Sequence, residues 1–144
     1  MVEYIPYSPD HAKEVITYGA VGICETTKEQ VDLMANVKLN GVAFTTVFDG
    51  RIVACAGIEQ MWEGVGQAWA LCVNDIGKIH MSPRANRDKF FEIARPFRRV
   101  QAPLRADLPA GIKFAEYMGF IQESVMKRYN PDGTDALMYV LGDI

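Results

Sequence analysis

Three carboxylates stand where an apolar segment gives way to a polar one, and a carboxyl group in that position can take a proton from a reacting partner. They are Glu59, Glu63 and Asp75. Partial burial disfavours the charged form and raises a carboxyl pKa towards the range useful to a general base. Glu59 is the best placed, because it directly follows apolar Ile58 at the end of a strand-like run. The alternative, a solvated residue at a strand end, stays open. Cys72 lies in the apolar segment Gln67 to Val73, yet a nucleophilic thiol needs a base beside it and neither His11 nor His80 has a visible relation to it. A packed core thiol is its simpler role. The same two histidines lack ligand spacing, and Cys24, Cys55 and Cys72 contain no CxxC pair. Neither a metal centre nor a disulfide framework is expected, and reduced thiols fit a cytoplasmic setting. Trp69, inside the apolar segment, reads as a core anchor. Trp62, in the turn Met61-Trp62-Glu63-Gly64, reads as an exposed ring able to line a substrate or partner surface.

These residues need a scaffold, and the composition bounds its kind. With 144 residues, 49% of them apolar and 23% charged, the chain suits one folded domain over 1–144 and neither a disordered nor a repetitive chain. A net charge of -3 argues against a general nucleic-acid binder, although Arg84, Arg87, Lys89, Arg95, Arg98 and Arg99 gather in one stretch. Glu3 and Pro6 open the chain where a leader would be basic and then apolar, and no window approaches the ~20 apolar residues of a membrane span.

Local signals give the elements. Val2 to Ile5 alternates as a short strand, and Ser8-Pro9 starts a helix reaching about Tyr18, ended by Gly19 and Gly22. Thr26 and Glu29 have capping-box spacing and open a second helix with Val31, Met34 and Val37 on one side, stopping at Asn40-Gly41. Val42 to Phe48 and Arg51 to Ile58 flank Asp49-Gly50, the signal of a tight hairpin. After a break at Gly64-Val65-Gly66, Gln67 to Val73 is apolar enough to be a central strand covered on both faces. Ser82 caps and Pro83 starts a helix with Phe90, Ile93, Ala94 and Phe97 at helical spacing, ending in a solvated Arg98-Arg99 pair. Val100 to Arg105 is a short strand weakened by Pro103; Asp107 with Pro109 opens a helix that ends at Gly119. Phe120 to Tyr129 and Ala136 to Leu141 are strands joined by Asn130-Pro131-Asp132-Gly133. The order is β-α-α-β-β-β-α-β-α-β-β in one unit.

That order, with the segment Gly111-Ile112-Lys113-Phe114-Ala115-Glu116-Tyr117-Met118-Gly119-Phe120, resembles the GNAT N-acetyltransferase superfamily. The resemblance implies an α/β (α+β) fold: a mixed, mostly antiparallel twisted sheet of six to seven strands flanked by about four helices. It implies an acyl-CoA cofactor such as acetyl-CoA and a small-molecule or peptide amine as acceptor, with Glu59 removing the amine's proton. The fourth strand, Gln67 to Val73, would splay from the fifth, Val100 to Arg105. The pantetheine arm would bond the strand edge at Leu71, Cys72 and Val73. The pyrophosphate would meet Gly77, Lys78, Ser82 and Arg84 near a helix start whose free amides attract anions. Two departures follow. The glycine-rich phosphate loop is replaced by a longer one holding only Gly77, where Lys78, His80 and Arg84 supply charge and Asp75 opposes an anion. The family's acid, a tyrosine four residues before the glycine of Gly-Phe, is here Ala115; Tyr117, two residues on, sits about 200° round the helix. Gln67-Ala68-Trp69-Ala70-Leu71 and the Ser-led helix rich in Arg and Phe are similar to GNAT-like proteins of tailed bacteriophages. That similarity implies an alternative, a fold kept without chemistry as a virion-associated module that binds a phage or host protein.

Overall fold

The computed structural model describes residues 1–17, 41–73, 75–79 and 82–142. Its elements are β1 (Val2–Pro6), α1 (Pro9–Thr17), β2 (Gly41–Phe48), β3 (Arg51–Trp62), β4 (Val65–Cys72), a single 3-10 turn (Ile76–Lys78), α2 (Pro83–Ala94), β5 (Arg99–Arg105), α3 (Pro109–Tyr117), β6 (Phe120–Met126) and β7 (Ala136–Leu141). Seven strands form one open sheet in the order β1-β2-β3-β4-β5-β7-β6, and three helices stand among the described residues. Every neighbouring pair is antiparallel except β4 and β5, which are parallel. This is the GNAT-like fold that the order of elements implied. The capping box Thr26 and Glu29, the helix of Val31, Met34 and Val37, the helix-ending Gly19 and Gly22, and Cys24 lie outside the described residues.

Alternation along the central strands divides the core in two. Val53 and Cys55 of β3 and Leu71 of β4 face α1, where Ala12 and Val15 complete a buried cluster. Ile58 of β3, Val100 and Ala102 of β5 and Tyr139 and Leu141 of β7 face the other way, against Phe90 and Ala94 of α2 and Ala115 of α3. The Asp49-Gly50 hairpin forms as expected, with φ 50° and 80°, the left-handed pair that matches strand twist.

Several boundaries differ from expectation, each for a local reason. β3 does not stop at Ile58 but runs to Trp62 with a register shift between Gln60 and Trp62, so Glu59 is an interior strand residue paired with Gln67. The turn falls at Glu63-Gly64, with Gly64 at φ 81°, and Val65 and Gly66 are buried in β4. β6 ends at Met126 because Arg128 adopts φ 56° and gives its N–H to the Asp135 carboxylate at 2.9 Å. Asp107 does not cap α3, whose cap residue is Leu108; it holds Arg105 through two 3.0 Å bonds. Arg99 is the first residue of β5 and not part of a solvated helix end.

Candidate functional site

β4 and β5 lie side by side only at the pairs Val65 with Arg99, Gly66 with Val100 and Gln67 with Gln101. Beyond that rung each strand continues, β4 still paired to β3 and β5 still paired to β7, but no longer to each other. Two strand edges therefore face one another across a gap that opens towards their C-terminal ends. Pro103 lies on this stretch of β5, where a residue without an N–H leaves no donor unpaired on the side of the gap. The orientation of the β4 edge follows from Val73, whose N–H donates to Val53 O at 3.0 Å. Hydrogen-bonded and non-bonded pairs alternate in an antiparallel ladder, so Leu71 and Val73 direct their backbone groups to β3, while Ala68, Ala70 and Cys72 direct theirs to the gap. Of the three strand residues named from the sequence, Cys72 is the one whose backbone faces this opening.

The segments that follow the two diverging strands line an open cavity of about 380 Å³, with Ile76, Ile79, Pro83, Asn86, Phe114 and Tyr117 in its walls. α2 begins here. Ser82 caps it through an Oγ that accepts from Ala85 N at 3.2 Å, and Ser82 O accepts from Asn86 N at 3.4 Å. Pro83 has no N–H, so three of the first four helical positions have no free amide to offer a phosphate. Positive charge at this end comes from side chains. Lys78 and Arg84 are exposed, and the Arg87 guanidinium lies 5.1 Å from the Phe91 ring centre and 5.7 Å from that of Tyr117, stacked by cation–π attraction. Arg87 was not singled out from the sequence as a ligand; its place one helical turn after Pro83 and in register with Tyr117 depends on how α2 and α3 pack. Asn86 is fixed by the Tyr4 hydroxyl, which donates to its Oδ1 at 2.7 Å.

Asp75 does not oppose an anion here, since Arg51 forks onto it with two 2.9 Å bonds. That guanidinium holds the carboxyl below its ordinary value, and as a base Asp75 is weak. Gly77 falls within the 3-10 turn, and His80 lies outside the described residues. Ala115 is buried in the core at 6% exposure, whereas Tyr117 is 43% exposed and reaches the cavity from the opposite side of α3. Glu63 is exposed in the β3–β4 turn with its backbone oxygen bonded by Arg98 at 2.8 Å. Glu59 lies on the α1 side of the sheet at the rung where β4 and β5 part. Trp62 is 60% exposed, and Trp69 packs edge-on against Tyr7 at 5.3 Å.

A partly buried chain of polar groups links the start of α1 to β2 and β3. Ser8 N donates to His11 Nδ1 at 3.2 Å, Thr45 Oγ1 lies 2.8 Å from the same nitrogen, and Cys55 Sγ lies 3.6 Å from Thr45 Oγ1. Burial pushes the Cys55 thiol up to about 11, which leaves it protonated and unreactive.

No protein-family model matches the chain, and no curated protein matches it. Solved structures do match. A putative GNAT-family acetyltransferase from Desulfovibrio desulfuricans aligns over 98% of this chain and 98% of its own at 18% identity, with a TM-score of 0.73. A GNAT-family acetyltransferase from Elizabethkingia anophelis, solved with acetyl-CoA bound, aligns over 99% and 98% at 9% identity and TM-score 0.69. The ribosomal-protein-S18-alanine N-acetyltransferase of Escherichia coli aligns over 98% and 93% at 17% identity and TM-score 0.68. At these identities the likeness is one of fold, and it spans the whole chain. Among the described residues no helix is long and apolar enough to cross a membrane.

Proposed function

We propose that the protein is an acyl-CoA-dependent N-acyltransferase whose cofactor enters the gap between β4 and β5. The observation that carries this reading is the divergence of the two strands after the Gln67–Gln101 rung, with the cavity and the start of α2 at the open end. The fit is of two kinds. The edge of residues 68–72 offers backbone donors and acceptors to an amide-bearing chain, and the apolar cavity walls with Arg84, Arg87 and Lys78 nearby suit a nucleotide with phosphates. Side-chain charge replaces the glycine-rich amide cradle. When bound, acyl-CoA supplies a thioester whose acyl carbon bonds the amine nitrogen as the carbon–sulfur bond breaks and the thiol departs.

Glu59 accepts a proton from the acceptor's ammonium group, directly or through water, which frees the nitrogen lone pair to attack, and an N–H of the open β4 edge stabilises developing negative charge on oxygen. Tyr117, in the wall of the same cavity, packs with Arg87 against the nucleotide. Solution assays test this. Acetyl-CoA should raise the melting temperature saturably, and Glu59→Gln should lower kcat by a factor of about 10²–10⁴ with cofactor affinity kept. The occupied amides at the start of α2 favour a second reading, a fold retained to bind a phage or host protein. Absence of any cofactor response would select it.

A further inference from the structure

The side of the sheet that faces α1 carries a row of polar side chains where β4 and β5 part. Arg99 forks onto Glu123 through two 2.8 Å bonds and gives its Nε–H to Gln101 Oε1 at 3.1 Å. Gln101 Nε2 in turn donates to Gln67 Oε1 at 3.2 Å. Elementary chemistry fixes the direction of this chain. A guanidinium has only donors, so Gln101 must turn its oxygen to Arg99 and its NH2 towards β4. Gln67 must then present its oxygen to Gln101, and its own NH2 points away from β5. Among the described residues nothing accepts from that NH2. Glu59 is the residue directly across from Gln67 on β3, with cross-strand Cβ atoms about 5 Å apart. On its other flank Glu59 faces Gly41, which has no side chain to cover it. Glu123 balances the charge of Arg99, and among the described residues no cation pairs with Glu59, which supplies the unbalanced negative charge of the row.

We propose that Gln67 is a specificity-determining residue, its NH2 binding a carbonyl oxygen on the carbon next to the amine that Glu59 receives. The acceptor class is then an α-amino amide, such as an amino-acid amide or the amino end of a peptide, in preference to a bare alkylamine. This inference rests on the acyltransferase reading. Initial rates with acetyl-CoA are measured for glycinamide and ethylamine, alongside calorimetric titration of acetyl-CoA. Wild type should favour glycinamide, and Gln67→Leu should raise KM for glycinamide about tenfold while leaving ethylamine within about twofold. Equal effects on both amines, or no preference in wild type, would overturn the assignment. Acetyl-CoA binding without turnover of glycinamide would overturn it too, whereas failure of acetyl-CoA to bind refutes the acyltransferase reading itself. Should the variant not fold, the wild-type protein still decides: with CoA present, glycinamide should shift the Gln67 side-chain NH2 signals in a nitrogen-15 spectrum and ethylamine should not.

Discussion

Replacing Gly66 by alanine probes the rung at which the two central strands part. Gly66 sits in β4 opposite Gln60 and beside Val100. A Cβ at this position would fall 2.2 Å from Ile58 Cγ2 and 3.0 and 3.2 Å from two ring carbons of Phe97. Ile58 is fully buried and branched at its β-carbon, so its methyl cannot swing aside without displacing the cluster under α2. Overpacking of this kind costs about 1–3 kcal/mol. The loss of backbone freedom in the unfolded chain offsets about 0.4–1 kcal/mol of it. At the middle of both ranges the net is a destabilisation of about 1.3 kcal/mol, or a fall in Tm of about 3–5 °C for a domain of this size. Scanning calorimetry reads the shift, and a urea titration should show a lower midpoint at unchanged m. Gly111→Ala is the control. Gly111 lies in α3 with nothing within 4 Å of the place a methyl group would take, so it should gain about 0.5–1 kcal/mol from helix propensity. A Gly66→Ala protein as stable as wild type would refute the packing described around Ile58.

Thr45→Val keeps the shape of a fully buried side chain but removes the hydroxyl that lies between His11 and Cys55; it should cost about 1–2 kcal/mol in urea unfolding. The Asp75 carboxyl is held below its ordinary value of 3.8 by Arg51, so this pair stabilises the fold above that pH and the contribution fades as pH falls further. Asp75→Asn should therefore flatten the acid limb of stability against pH. The Cys55 thiol, pushed up to about 11, should resist alkylation at pH 8 until the chain unfolds, while the half-buried Cys72 reacts sooner; mass spectrometry of labelled peptides separates them. Because unfolded thiols ionise near 9.0, that burial also makes stability decline as pH rises above this value.

What was legible in the sequence was local. Asp49-Gly50 demands left-handed backbone and forms the hairpin, Ser82-Pro83 starts α2, and Gly119 at φ 97° ends the turn after α3. Pro103 weakened the reading of β5, yet it stands where β4 has already left, so the misfit in the sequence marked the open edge. The interior placement of Glu59 was not legible, because the register shift between Gln60 and Trp62 lengthens β3 through pairing with β4. The pairs Arg51–Asp75, Arg105–Asp132 and Arg99–Glu123 join residues more than twenty positions apart, and only the register of the sheet brings them together. The same holds for the Gln67–Gln101 bond and for the meeting of Arg87 with Tyr117. Propensity and turn chemistry act over a few residues, whereas each of these contacts is a product of tertiary packing.

The most direct measurement is a titration of the nitrogen-15-labelled protein with acetyl-CoA, followed at the backbone amides. Entry of the cofactor between the diverging strands predicts the largest, saturable shifts at Ala68, Ala70 and Cys72 and at the start of α2, with little change in β1 or β6. Unmoved signals at millimolar acetyl-CoA, or shifts confined to a surface remote from β4, would contradict it.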